Sequence, residues 1–209
     1  MSFTATKRHH VKIGSHLRDG EDIYSLNKHA LGPGELAESE WLEAGLLSPD
    51  MTRIREYRLK RVREKLVEFD CAGILLYDPL NIRYATDSTN MSLWTSHNAA
   101  RYALIMTKGP VIIFEFDAHE FLSNHNPLIT EVRHAVTYLY FTAGDKSKER
   151  AKIWASEIVD IVSEYGKGNK RLALDHCTPE GIHELQSHGL ELANGEEVME
   201  LARQIKSDD

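Results

Sequence analysis

Between two apolar runs, Ala72-Gly73-Ile74-Leu75-Leu76-Tyr77 and Tyr102-Ala103-Leu104-Ile105-Met106, the chain gathers Arg83, Tyr84, Asp87, Asn90, Trp94, His97, Asn98 and Arg101 in a stretch of low hydrophobicity. Long polar connections inside compact domains commonly bind ligands. Here the indole of Trp94 offers a π face that attracts an onium group with about 0.5–2 kcal/mol. Two roles fit each of the sharpest residues. Trp94 either meets such a cation or caps the core, and Arg83 either meets a ligand or pairs with Asp78 or Asp87.

No complete catalytic constellation accompanies this stretch. There is no G-x-G-x-x-G after a strand and no P-loop, which excludes nucleotide binding of those kinds. A G-x-S-x-G elbow and a pair of acids suited to glycoside chemistry are also missing. Asp117-Ala118-His119-Glu120 with His125 departs from H-E-x-x-H, whose histidines share one helix face, and reads as a polar turn. His176 beside Asp175 has no nucleophile at an interpretable position, and His9-His10 reads as a solvated pair. Cys71 and Cys177 lack neighbouring cysteines and read as small buried residues.

The chain has 209 residues, 42% of them hydrophobic, enough for one good-sized domain with a tail. Its formal net charge of -7 argues against a general nucleic-acid surface, which needs basic groups to displace counterions. The amino terminus lacks an apolar signal core, and no run approaches the roughly 20 residues of a membrane span, so a cytoplasmic protein is expected.

The elements that must position these side chains alternate in type. Residues 1–33 read as an extended arm, and 34–47 as a short helix that docks through Trp41. Ser48 as N-cap, Pro49 and Asp50 open the strongest helix, with Met51, Ile54, Arg58, Val62, Leu66 and Phe69 near helical spacing; its mixed charges form a solvated face. A first strand ending at Tyr77 feeds a helix begun by Pro79. Tyr102-Ala103-Leu104-Ile105-Met106 and Val111-Ile112-Ile113-Phe114-Glu115-Phe116 form a hairpin across Lys108-Gly109-Pro110. A strand over 135–141, a helix over 145–165 with Ile153, Trp154, Ile158, Ile161 and Val162 inward, and a strand over 171–175 follow. A helix capped by Thr178, an edge strand over 189–192 and a helix over 195–206 complete the chain. The pattern predicts an α/β fold, a mixed sheet covered by helices on both faces.

Asn81-Ile82-Arg83-Tyr84-Ala85-Thr86 after the first strand resembles the N-x-x-Y-x-T/S segment in the amino-terminal domain of the creatinase, prolidase and aminopeptidase P (pita-bread) superfamily. The hairpin, the 145–165 helix, Leu172-Ala173-Leu174-Asp175 and the terminal Glu197-Val198 to Lys206 segment fall in the same order. Asp78 through Met91, Leu93-Trp94 with His97-Asn98, and Gly195-Glu196-Glu197-Val198 are similar to the dimethylsulfoniopropionate lyase branch, a likeness covering residues 34–206. The resemblance implies a three-layer α/β/α sandwich with a ribonuclease H-like motif that pairs subunits and shapes the entrance to an active site. It also implies a homodimer, a carboxyl-terminal catalytic domain holding two divalent ions (Fe, Mn, Zn or Co), and a small-molecule substrate. No membrane or nucleic-acid partner is implied.

On that reading residues 207–209 begin a linker, no cofactor or metal ligand falls in this chain, and the chain alone is expected to be inert. Trp94 would face the sulfonium, with Arg83, His97 and Arg101 as candidates for the substrate carboxylate or a subunit interface. An Xaa-Pro peptidase or creatinase-type hydrolase is the nearest rival. A stand-alone dimerisation module is the other.

Overall fold

The computed structural model describes residues 35–47, 49–116, 119–123 and 126–208. The arm over 1–33, His9, His10, Ser48, Asp117 and His125 lie outside them. Contacts divide the chain into two units, Met1–Pro49 and Asp50–Asp209. The described helix of the first is α1 (Glu35–Glu43), followed by Gly45 at φ 75°.

The second unit opens with α2 (Met51–Glu68). Its N-cap is Asp50 and not Ser48, because the Asp50 carboxylate accepts the amide of Arg53 at 3.0 Å and so serves one of the orphan donors of the first turn. Ile54, Leu59, Val62 and Leu66 are its buried stripe. Then come β1 (Gly73–Leu76), α3 (Pro79–Thr86), α4 (Ser92–His97), β2 (Tyr102–Met106), β3 (Val111–Glu115) and β4 (Glu131–His134). After a single helical turn at Tyr140–Ala143 follow α5 (Ser147–Tyr165), β5 (Arg171–Leu174), α6 (Pro179–Ser187), β6 (Glu191–Asn194) and α7 (Gly195–Arg203).

The six strands lie in the order β4-β3-β2-β1-β5-β6, with β1–β2 and β2–β3 antiparallel and the other pairs parallel. Every residue of β1, β2 and β3 is buried, so alternation along these strands sorts side chains between two apolar layers. Leu75, Tyr102, Leu104, Ile112 and Phe114 join Trp154, Ile158 and Leu185 of α5 and α6. Ile74, Leu76, Ala103, Ile105 and Ile113 join Val62, Leu66, Ile82 and Val198 of α2, α3 and α7. This is the three-layer α/β/α sandwich with a mixed sheet. Among the described residues no helix is long and apolar enough to cross a membrane.

Two strand boundaries differ from the sequence expectation for one reason, that an edge strand needs backbone partners, not apolar side chains, and one helix boundary differs as well. The fourth strand is Glu131–His134, paired with Ile112 to Glu115, and not 135–141. Ala135 and Tyr138 of the expected strand are core residues of the covering segment, while Tyr140 and Phe141 are exposed. The last strand runs Glu191–Asn194, beyond 189–192. The last helix stops at Arg203 instead of Lys206. Ile153, expected inward on α5, is exposed, because Ala151, Trp154, Ala155 and Ile158 fill the inner face.

Candidate functional site

β1 and β5 run parallel, so their carboxyl ends meet, and Asp175 stands at that meeting point. Its Oδ1 accepts the amides of Tyr77 at 2.7 Å and His176 at 2.6 Å; Oδ2 accepts the amide of Asp78 and Nδ2 of Asn81, both at 3.1 Å. Burial raises the Asp175 pKa above the ordinary carboxylate range, although these four donors favour the ionised form. Asp78 caps α3 by accepting the amides of Leu80 at 2.8 Å and Asn81 at 2.9 Å, ahead of Pro79 in the first turn. Asn81 then accepts Nη1 of Arg203 at 2.8 Å. One amide therefore links the first strand-to-helix turn to the last helix.

The end of α7 is closed by side chains from two other helices and by the lysine that follows it. A helix leaves its final carbonyls without intrahelical donors. Arg61 Nη2 donates to Leu201 O at 3.3 Å, Tyr84 Oη to Ala202 O at 2.9 Å, and Lys206 Nζ to Arg203 O. Tyr57 Oη reaches Ile205 O at 3.4 Å. Burial raises the pKa of Tyr84, whose ring also lies 5.7 Å from the Arg58 guanidinium carbon. Tyr84→Phe removes the one donor that serves the Ala202 carbonyl among the described residues, so stability should fall by about 1 kcal/mol in urea denaturation. Unchanged stability would show that water replaces the phenol.

The loop between α3 and β2 begins at Asp87, left-handed at φ 53° and bound to Arg55 Nε at 2.7 Å. Met91, at φ 35°, redirects the chain into the short α4. Trp94 is half-buried with its ring 5.2 Å from that of Phe116, which in turn lies 4.2 Å from the His119 ring. Leu93 beside it is 89% exposed. His97 is exposed and lines a cleft of about 190 Å³ with Tyr77, Asp78, Thr95, Ser96 and His176. This cleft opens beside the strand ends where α/β domains commonly take ligands.

The four candidate residues are not one cluster. Trp94 and His97 share α4. Arg83 is exposed on α3 and pairs with neither Asp78 nor Asp87. Arg101 is 1% exposed: its Nε donates to Glu115 Oε1 at 2.8 Å and its Nη2 to Ser88 Oγ at 2.6 Å. A guanidinium so placed is part of the scaffold under the loop, enclosed away from the exposed His97 and Arg83 with which the sequence groups it as a candidate for the substrate carboxylate or a subunit interface. Sequence reasoning missed Glu115 and Phe116 as parts of this site. The available signal was a lone acid closing an apolar strand.

Among the described residues no three His, Cys, Asp or Glu side chains are placed to hold a metal ion. The described residues do not fit a dinuclear centre. What the arrangement can do is present a partly exposed indole on a braced loop.

A mixed six-stranded sheet between helical layers, with a carboxylate tying β1 to β5 and a clamped α7, defines an α/β/α domain. The chain belongs to the family described as Creatinase/Prolidase N-terminal domain, which matches residues 58–205. A relative named dimethylsulfoniopropionate lyase DddP, from Roseovarius nubinhibens, is 43% identical over 183 residues, 88% of this chain and 41% of the relative. A protein of the same name from Roseobacter denitrificans is 39% identical over 207 residues, 99% of this chain and 46% of the relative. The chain thus spans less than half the length of these curated relatives. An XXA-pro aminopeptidase from Streptococcus pyogenes aligns with a TM-score of 0.51 at 14% identity, over 73% of this chain and 100% of that one. An Xaa-Pro dipeptidase from Bacillus anthracis aligns at 0.50 and 19% identity, over 74% and 37%. At such identities the likeness is one of fold.

Proposed function

We propose that this chain is the non-catalytic amino-terminal domain of a dimethylsulfoniopropionate lyase, serving dimerisation and access to an active site in a carboxyl-terminal companion domain. The observation that carries the reading is the 43% identity to a relative of that name over 88% of this chain. The reaction is an elimination: a base in the companion domain removes a proton beside the substrate carboxylate, and the electron pair expels dimethyl sulfide, leaving acrylate. The two divalent ions, Fe, Mn, Zn or Co, belong to that companion domain. The same reading places the enzyme in the cytoplasm as a homodimer.

Within it, Trp94 meets the sulfonium. A soft cation gains more from a π face than a hydrated counter-ion can supply, and Trp94 leans on Phe116 while part of its surface stays open. His97 and Arg83, both exposed, are the residues left to steer the substrate carboxylate or to meet a second subunit.

In the full-length enzyme that carries this domain, Trp94→Ala should raise KM for the sulfonium substrate about 2- to 30-fold, the range that 0.5–2 kcal/mol implies. The thermal midpoint should stay near wild type. An equal loss of stability would make Trp94 a core residue, and activity on a proline dipeptide with none on the sulfonium compound would overturn the lyase reading.

A further inference from the structure

The loop that carries Trp94 is closed from below by one acid. Glu115, the last residue of β3, is fully buried, and its two oxygens divide their partners between the ends of the loop. Oε1 accepts Arg101 Nε at 2.8 Å, at the point where the loop enters β2, and Ser123 Oγ at 2.8 Å. Oε2 accepts Asn90 Nδ2 at 3.1 Å, near the loop's start. Ser88 Oγ, bonded to Arg101 Nη2 at 2.6 Å and to Ser123 Oγ at 2.8 Å, completes the closure.

From Asn90 the constraint passes into the helix of the tryptophan. Asn90 O lies 3.3 Å from the Thr95 hydroxyl, which also stands 3.2 Å from Met91 O, so the turn before α4 is fixed against the residue that follows Trp94. On the other side, Phe116, next in the chain after Glu115, supplies the ring on which Trp94 rests. Two consecutive residues at the end of one strand thus fix the loop's backbone and the indole's support.

We propose that Glu115 is a positioning residue that sets the orientation of the Trp94 indole through Asn90 and Arg101, beyond its share in stability. The functional meaning of this orientation rests on Trp94 being the face turned to the ligand. The orientation itself does not.

The test is fluorine NMR of the chain labelled with 5-fluorotryptophan, which carries three reporters, Trp41, Trp94 and Trp154. The Trp94 signal is assigned by its loss in Trp94→Phe. At a temperature well below unfolding, Glu115→Gln should move or broaden the Trp94 signal and leave that of Trp154 in place. Asn90→Ala cuts only the tether to Oε2 and should do the same, so it decides the matter where the charge change prevents folding. A Trp94 signal unmoved in Asn90→Ala, or Trp94 and Trp154 signals moving together in both variants, would overturn the proposal.

In the full-length enzyme the two effects should not add: Glu115→Gln should raise KM in the wild-type background and change it little once Trp94 is alanine. Additive effects would also count against the proposal. A moved Trp94 signal in an enzyme without affinity for sulfonium compounds would sink the substrate assignment and leave the positioning role standing.

Discussion

Arg101→Ala should lower the unfolding free energy by about 3–5 kcal/mol, the range found when one partner of a buried ion pair is removed. Arg101 and Glu115 are 1% and 0% exposed, so the substitution leaves a carboxylate in the interior without its charged partner. The substitution also takes a donor from Ser88, itself buried. For a domain of this size the loss corresponds to a fall in thermal midpoint of roughly 6–20 °C. Burying two charges costs more than their attraction returns in many proteins, so the double variant Arg101→Met/Glu115→Met should recover part of the loss. Urea denaturation of the single and double variants checks both statements. A single variant within 1 kcal/mol of wild type would mean that water enters beneath the loop.

The second large effect is at Gly195, where two expectations have opposite signs. Alanine is favoured over glycine in a helix by about 1 kcal/mol, so local propensity predicts that Gly195→Ala stabilises α7. A Cβ there would stand 2.5 Å from the carbonyl carbon of Leu174 and 2.7 Å from the amide nitrogens of Leu174 and Asp175. These are backbone atoms of β5 and of the residue that ties β5 to β1, and they cannot rotate away. Overpacking of this kind costs about 1–3 kcal/mol and occasionally more. The net result should be a loss of stability, together with loosening of the Asp175 contacts to Tyr77 and Asn81. Chemical denaturation with amide exchange at Tyr77 and Asp78 measures both. A stabilised variant would show that α7 can lift from the sheet without penalty.

The family segment shows how sequence and structure divide the explanation. Asp78, Pro79 and the apolar spacing after them specify a capped helix without outside help, since each signal acts within four residues. Asn81 and Tyr84 stand out in the sequence only as a pattern. Their partners Asp175, Ala202 and Arg203 lie about a hundred residues further on, so what the pattern does was invisible until the helices were packed. The polar edge strand Glu131–His134 escaped sequence reading for a related reason: its place is set by hydrogen bonds to β3, which every residue type can make.

The sequence by itself determined the buried strands β1, β2 and β3, the long amphipathic helices, the α/β/α class and the family, because periodicity and caps are local and the matching strings are long. It also named Trp94 as the side chain most suited to an onium group. Only the tertiary structure separated Trp94 and His97, which share one short helix, from Arg101, which is held by buried side chains of three segments. The physical reason is desolvation: the same arginine is a surface cation or an internal brace according to whether Glu115 and the serines reach it first. That depends on how β2 and β3 come together.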